Sequence, residues 1–151
     1  MPKTTGAAAG EAPPADQTPC NCLALRQAAR HLTQVYDRHL AEAGLRSTQF
    51  SILSKLGRLG ALPIGRLAET MVMERTALGR ALGPLERDRR VAVGAGPDGR
   101  TRSVSLTAAG RARLKAAAVH WRRAQKEFEA AFGTAAAQDL RTTLRRVVEA
   151  A

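Results

Sequence analysis

IGRLAETMVMERTALGRALGPLERDRRVAVGAGPDGRTRSVSL, residues 64–106, changes its hydrophobic period partway along, and that change decides the fold. Ile64, Leu67, Ala68 and Met71 fall at i, i+3, i+4 and i+7, the spacing of a short amphipathic helix. A break at Val72–Met73 leads into a second helix with Leu78, Leu82 and Leu85 inward. Its opposite face carries Arg75, Thr76, Gly79 and Arg80. Two short helices across a tight turn, the second with a small and basic outer face, are what a helix-turn-helix needs. Pro84 has no N–H and is expected to bend or loosen the second helix near its end. The period then shortens to two. Val91, Val93 and Ala95 alternate on one side and Val104 and Leu106 on the other, with Gly96-Pro97-Asp98-Gly99-Arg100 between them. The Asp-Gly pair is strong turn chemistry, so this segment reads as a two-stranded hairpin with a basic tip.

Outward from this block the pattern is helical. Upstream, Cys22, Leu25, Ala29, Leu32, Tyr36, Leu40 and Ala43 keep one face of a helix, and Gly44 supplies its stop. A second helix follows Ser47, read as its N-cap, with Phe50, Leu53, Leu56 and Leu59 inward. Downstream, Thr107 caps a long helix whose stripe is Leu114, Ala118, Trp121, Gln125, Phe128 and Phe132, and Gly133 ends it. A last helix from about Thr134 offers Leu140, Leu144, Val147 and Val148. Residues 1–19 are rich in Pro, Ala, Gly and Thr without apolar period, and read as a disordered arm. They hold no apolar core of a secretory signal, so a cytoplasmic location is expected. Residues 20–151 then form one domain. Its 45–106 part is the winged helix-turn-helix block, and 22–43 and 107–151 are helices for pairing.

Composition excludes several classes. Of 151 residues, aromatics are only 3%, too few for a β-sandwich or barrel. No run is long and apolar enough for a membrane span. Two cysteines at C-x-C spacing cannot staple a fold. Cys20, Cys22, His31, His39 and His120 show no compact metal-ligand spacing, so no metal is expected, and no cofactor motif is present. The formal net charge of +11 points to a polyanionic partner, most simply nucleic acid.

A helix-turn-helix followed by a basic hairpin is a winged helix. In such an arrangement the second short helix enters the major groove, where Arg75, Thr76, Gly79 and Arg80 meet base edges or phosphates. Gly79 and Thr76 keep that helix slim. Arg100 at the hairpin tip, with Arg102 beside it, reaches the narrow minor groove, and Asp98 either holds the arginine fork or shapes the turn. The outer helices carry more apolar surface than so small a block needs. They are expected to pack on a second copy, setting two reading helices about 34 Å apart for a pseudo-palindromic site on duplex DNA.

Three segments carry a family resemblance: LRQAARHLTQVYDRHLAEAGLRSTQFSIL, MERTALGRALGPLERD, and DGRTRSVSLTAAGR. Together they are similar to the MarR family of bacterial transcription regulators over about residues 22–150. The resemblance implies a dimeric winged-helix DNA-binding protein, usually a repressor, released by a small, often phenolic, ligand or by cysteine oxidation. Arg89 departs from it, since many relatives have Gly there, which leaves the angle of the wing open.

The first helix resembles the organic-hydroperoxide-sensing branch, in which a Cys and a Tyr fourteen residues later correspond to Cys22 and Tyr36. Fourteen residues of one helix span about 21 Å, so these side chains can meet only across a dimer. Arg26 stands where that branch has a second Tyr. Cys22 is read either as a redox sensor, with Cys20 as a resolving thiol, or as a small hydrophobe on a helix face. A Cys20–Cys22 ring would be strained, so an intersubunit bridge is the better redox reading. The competing signal is a small aromatic acid. The family places its pocket between the dimer helices and the reading block, where Tyr36, His39, Phe50, Trp121 and an inward Arg are candidate lining residues.

An enzyme is not indicated: the chain has no H-E-x-x-H or G-x-S-x-G, and GAGPDGR falls in a hairpin rather than before a helix. A non-specific architectural or RNA-binding protein is the remaining alternative, though it would need an aromatic platform or wedge.

Overall fold

The computed structural model describes residues 19–150. The expected arm, 1–19, therefore lies outside the described residues except for its last position. Among the described residues there are six α-helices and one small sheet. They run α1 (Asn21–Leu40), a 3₁₀ turn (Ala41–Ala43), α2 (Ser47–Leu59), β1 (Leu62–Pro63), α3 (Ile64–Met71), α4 (Arg75–Arg87), β2 (Val91–Ala95), β3 (Arg102–Leu106), α5 (Ala108–Phe132) and α6 (Thr134–Glu149). The winged-helix architecture expected from the sequence is present.

Leu40, Ile52, Leu53, Leu56, Leu67, Leu78, Leu85 and Val104 are fully buried and form one core beneath α2, α3, α4 and the sheet. Each such side chain contributes roughly 1.5–3 kcal/mol relative to an exposed one. In the hairpin, Val91 stands opposite Leu106 and Val93 opposite Val104, so all four share the face turned to this core. A third strand was not legible. Leu62 and Pro63 pair antiparallel with Val104 and Ser103, giving the order β1-β3-β2. Two residues carry no readable period, and proline can sit there because β1 is an edge.

Several local expectations change. Ser47 is the first residue of α2, not its cap. The amide of Arg46 donates to Gln49 Oε1 at 2.9 Å, and that of Ser47 to Asp37 Oδ1 on α1 at 2.7 Å. Leu59 is exposed, and Ile52 takes its place inside. Pro84 lies within α4, which continues to Arg87. The buried line of α5 is Gly110, Ala117 and Ala124, one residue every seven, rather than the larger residues that flank it. On α1 only Val35 and Leu40 are buried, while Cys22, Leu25 and Ala29 are exposed.

Polar ties fix α5 against α1. Glu127 accepts from Arg38 at 2.9 Å and contacts His39 Nε2 at 2.6 Å. Arg113 donates to Ala43 O and Arg90 to Gly44 O, both at 3.0 Å, which closes the corner between α1 and α2. Part of the large positive charge is therefore spent inside the fold.

Candidate nucleic-acid interface

The reading helix is held at both ends by the same device. Met73 N donates to Ala68 O and Val72 N to Glu69 O before it; Arg90 N donates to Leu85 O and Arg89 N to Glu86 O after it. These are paired helix-ending bonds around a left-handed residue, a position that favours glycine. Here Val72 and Arg89 occupy it at φ 52° and 55°. Arg89 thus occupies a left-handed position of the kind that favours glycine.

Between these corners Leu78, Leu82 and Leu85 anchor α4 in the core, which leaves Arg75, Thr76, Gly79 and Arg80 exposed on its outer side. No atom lies within 4 Å of where a Cβ on Gly79 would stand, so this face is open as well as slim.

The wing is braced at its base and ordered at its tip. Thr107 Oγ1 donates to Arg89 O at 2.6 Å and accepts from Gly110 N at 2.9 Å. One hydroxyl thus joins the end of α4, the end of β3 and the start of α5. A Cβ on Gly110 would come within 1.9 Å of Arg90 O, so only glycine allows α5 this close. At the tip, Asp98 Oδ1 accepts from Arg100 N at 3.0 Å and Thr101 N at 2.8 Å, and Oδ2 accepts from Thr101 Oγ1 at 2.6 Å. The Thr101 hydroxyl, then the two amides, hold the Asp98 carboxyl below its ordinary pKa. Of the two roles open to Asp98, it shapes the turn. The guanidinium groups of Arg75, Arg80, Arg100 and Arg102 have no carboxylate within 4.0 Å among the described residues.

The residues expected to line one effector pocket do not all share a cleft. Phe50 lies in a cleft of about 590 Å³ between α2 and α5, its ring stacked 6.1 Å from that of Trp121. Lys55, Arg58, Arg111 and Arg122 line the same cleft, and no acidic residue does. Tyr36 lies in a second, shallower cleft with Met71 and Met73. Its hydroxyl donates to Gln125 Oε1; burial, then the Glu129 charge, raise its pKa, against the opposing pull of Arg141. His39 lines neither cleft and is engaged with Glu127, whose carboxyl is lowered chiefly by that bond. The sequence did not show which cations would converge here, because these four come from two helices that are distant in the chain.

Cys20 and Cys22 are both exposed free thiols. Cys20 is the N-cap of α1, and its sulfur accepts from Leu23 N at 3.4 Å. Cys22 and Tyr36 stand on the one helix α1, too far apart to touch within a chain.

A slim, basic reading helix anchored by three leucines, followed by a braced hairpin with a free arginine at its tip, defines a winged helix-turn-helix protein of the DNA-binding type. No protein-family model matches the sequence, and no curated protein does. Solved structures do match. The chain is 40% identical to the M. tuberculosis transcriptional regulator MosR, solved in complex with DNA, over 87% of this chain and 97% of that one, with a TM-score of 0.74. A probable transcriptional regulator from Pseudomonas aeruginosa is 28% identical over 83% and 95%, with a TM-score of 0.75. E. coli MarR complexed with operator DNA shares the fold at 17% identity over 83% and 91%, with a TM-score of 0.74. The chain belongs to the MarR family of transcriptional regulators.

Proposed function

We propose that this protein is a homodimeric, sequence-specific repressor that binds pseudo-palindromic duplex DNA in the cytoplasm and is released by a small aromatic anion. The observation that carries the DNA reading is the set of four carboxylate-free arginines on the two elements a winged helix projects into adjacent grooves. Arg75 and Arg80, with Thr76 and Gly79, read the major groove; Arg100 and Arg102 contact the minor groove or its phosphates. Release works through α5, which is clamped to the wing at Thr107 and Gly110 and forms one wall of the cationic aromatic cleft. A flat anion seated on Phe50 and Trp121 binds one angle between α2 and α5 better than another, and shifts DNA affinity by that difference alone.

A second reading rests on the two exposed thiols at the start of α1. An organic or inorganic peroxide oxidises the Cys22 thiol to a sulfenic acid and leaves as its alcohol or water; a thiol of the partner subunit then displaces water to form a disulfide, which changes the spacing of the two reading heads.

The test is binding to a duplex that the protein selects from a randomised library, against random duplex, across a salt series. Specific binding is expected to exceed non-specific binding by at least about 10³-fold. Arg100→Ala is expected to weaken both and to lower the salt slope by about one. Equal affinity for random duplex would favour the architectural alternative. Release by 4-hydroxybenzoate supports the cleft; release by cumene hydroperoxide that Cys22→Ser abolishes supports the thiol.

A further inference from the structure

Gly65 is the second residue of α3, in ordinary helical conformation. No turn or positive φ requires glycine there, and glycine is a poorer helix former than alanine. The three nearest atoms that a Cβ at this position would meet all belong to Arg75. The Cβ would stand 3.0 Å from Nη2 of Arg75, 3.6 Å from its Cζ and 3.9 Å from its Nε. The guanidinium of the first residue of α4 therefore lies over the first turn of α3, in the space the missing methyl leaves. Arg75 is exposed, and its guanidinium has no carboxylate partner and no side-chain hydrogen bond among the described residues.

We infer that Gly65 is a positioning residue for DNA recognition: it is glycine so that the Arg75 guanidinium can lie across α3 at the face presented to the duplex. The inference rests on the DNA-contacting role proposed for Arg75. A side chain at 65 leaves the arginine its charge but moves its fork. A long flexible side chain moves at little cost to folding, so stability and binding should change in opposite directions.

The experiment compares Gly65→Ala, Arg75→Ala and the double variant with the wild type. Each is measured for thermal unfolding and for affinity toward one duplex selected by the wild-type protein. Gly65→Ala is expected to raise the melting temperature by about 2 °C and to weaken binding about five- to tenfold. The double variant is expected to bind no worse than Arg75→Ala, because alanine at 65 has nothing left to displace. Wild-type affinity for Gly65→Ala, or a double variant that multiplies the two losses, overturns the inference while leaving Arg75 as a contact. A lowered melting temperature for Gly65→Ala also overturns it, since the glycine would then serve the fold. Wild-type affinity for Arg75→Ala removes Arg75 from the interface and takes both readings down.

Discussion

Val72, Arg89 and Gly44 close three helix ends with the same pair of backbone bonds, at φ 52°, 55° and 66°. Only the third is the residue that this conformation favours. For a β-branched side chain the left-handed region costs about 1–2 kcal/mol, and Val72 recovers little of it by burial, being 69% exposed. Val72→Asn is expected to stabilise the protein by about 1 kcal/mol in denaturant unfolding, since asparagine tolerates this region. An unchanged midpoint would show that the turn is unstrained. Gly110 is the opposite case, where space and not dihedral angle sets the residue. Gly110→Ala forces a methyl into Arg90 O and is expected to cost about 3 kcal/mol, read by the same unfolding measurement. A loss below about 0.5 kcal/mol would mean that the corner yields freely.

At the scale of the element, the wing shows how a short turn frees an arginine. Both Asp98 oxygens are taken up by the amides and hydroxyl that follow, so the carboxylate does not neutralise the Arg100 guanidinium. Because the folded pKa of Asp98 is lowered, these bonds favour the ordered turn above the ordinary aspartate pKa. That contribution is lost as pH falls through the lowered value. The Thr101 amide resonance is expected to titrate with an inflection below that of an unstructured aspartate. An inflection at or above the ordinary value would mean that the turn is open in solution. The Asp-Gly pair made this hairpin legible in the sequence. The service Asp98 gives was left open there, because a carboxylate two residues from an arginine can bond either its backbone or its side chain.

Across the whole molecule, the first half of α1 and the end of α6 leave apolar side chains uncovered, with Leu25, Val147 and Val148 respectively 38%, 46% and 56% exposed. These are the surfaces a second copy is proposed to cover. Val148→Asp is expected to shift the protein toward monomer in sedimentation at micromolar concentration and to weaken operator binding, without lowering helix content. A dimer of wild-type strength would place the pairing surface elsewhere. What the sequence alone determined is the order of elements, the core leucines of α3 and α4, the exposed basic face of the reading helix and the hairpin. All of these are encoded locally, in a period or a turn residue. The two-residue strand β1, the small-residue seam of Gly110, Ala117 and Ala124, and the separation of Tyr36, His39 and Phe50 into different surroundings were decided by tertiary structure. In an alanine-rich helix every face looks alike until a neighbour presses on one of them. A cleft belongs to no single segment: it exists only where α2 and α5, some sixty residues apart in the chain, come to lie side by side.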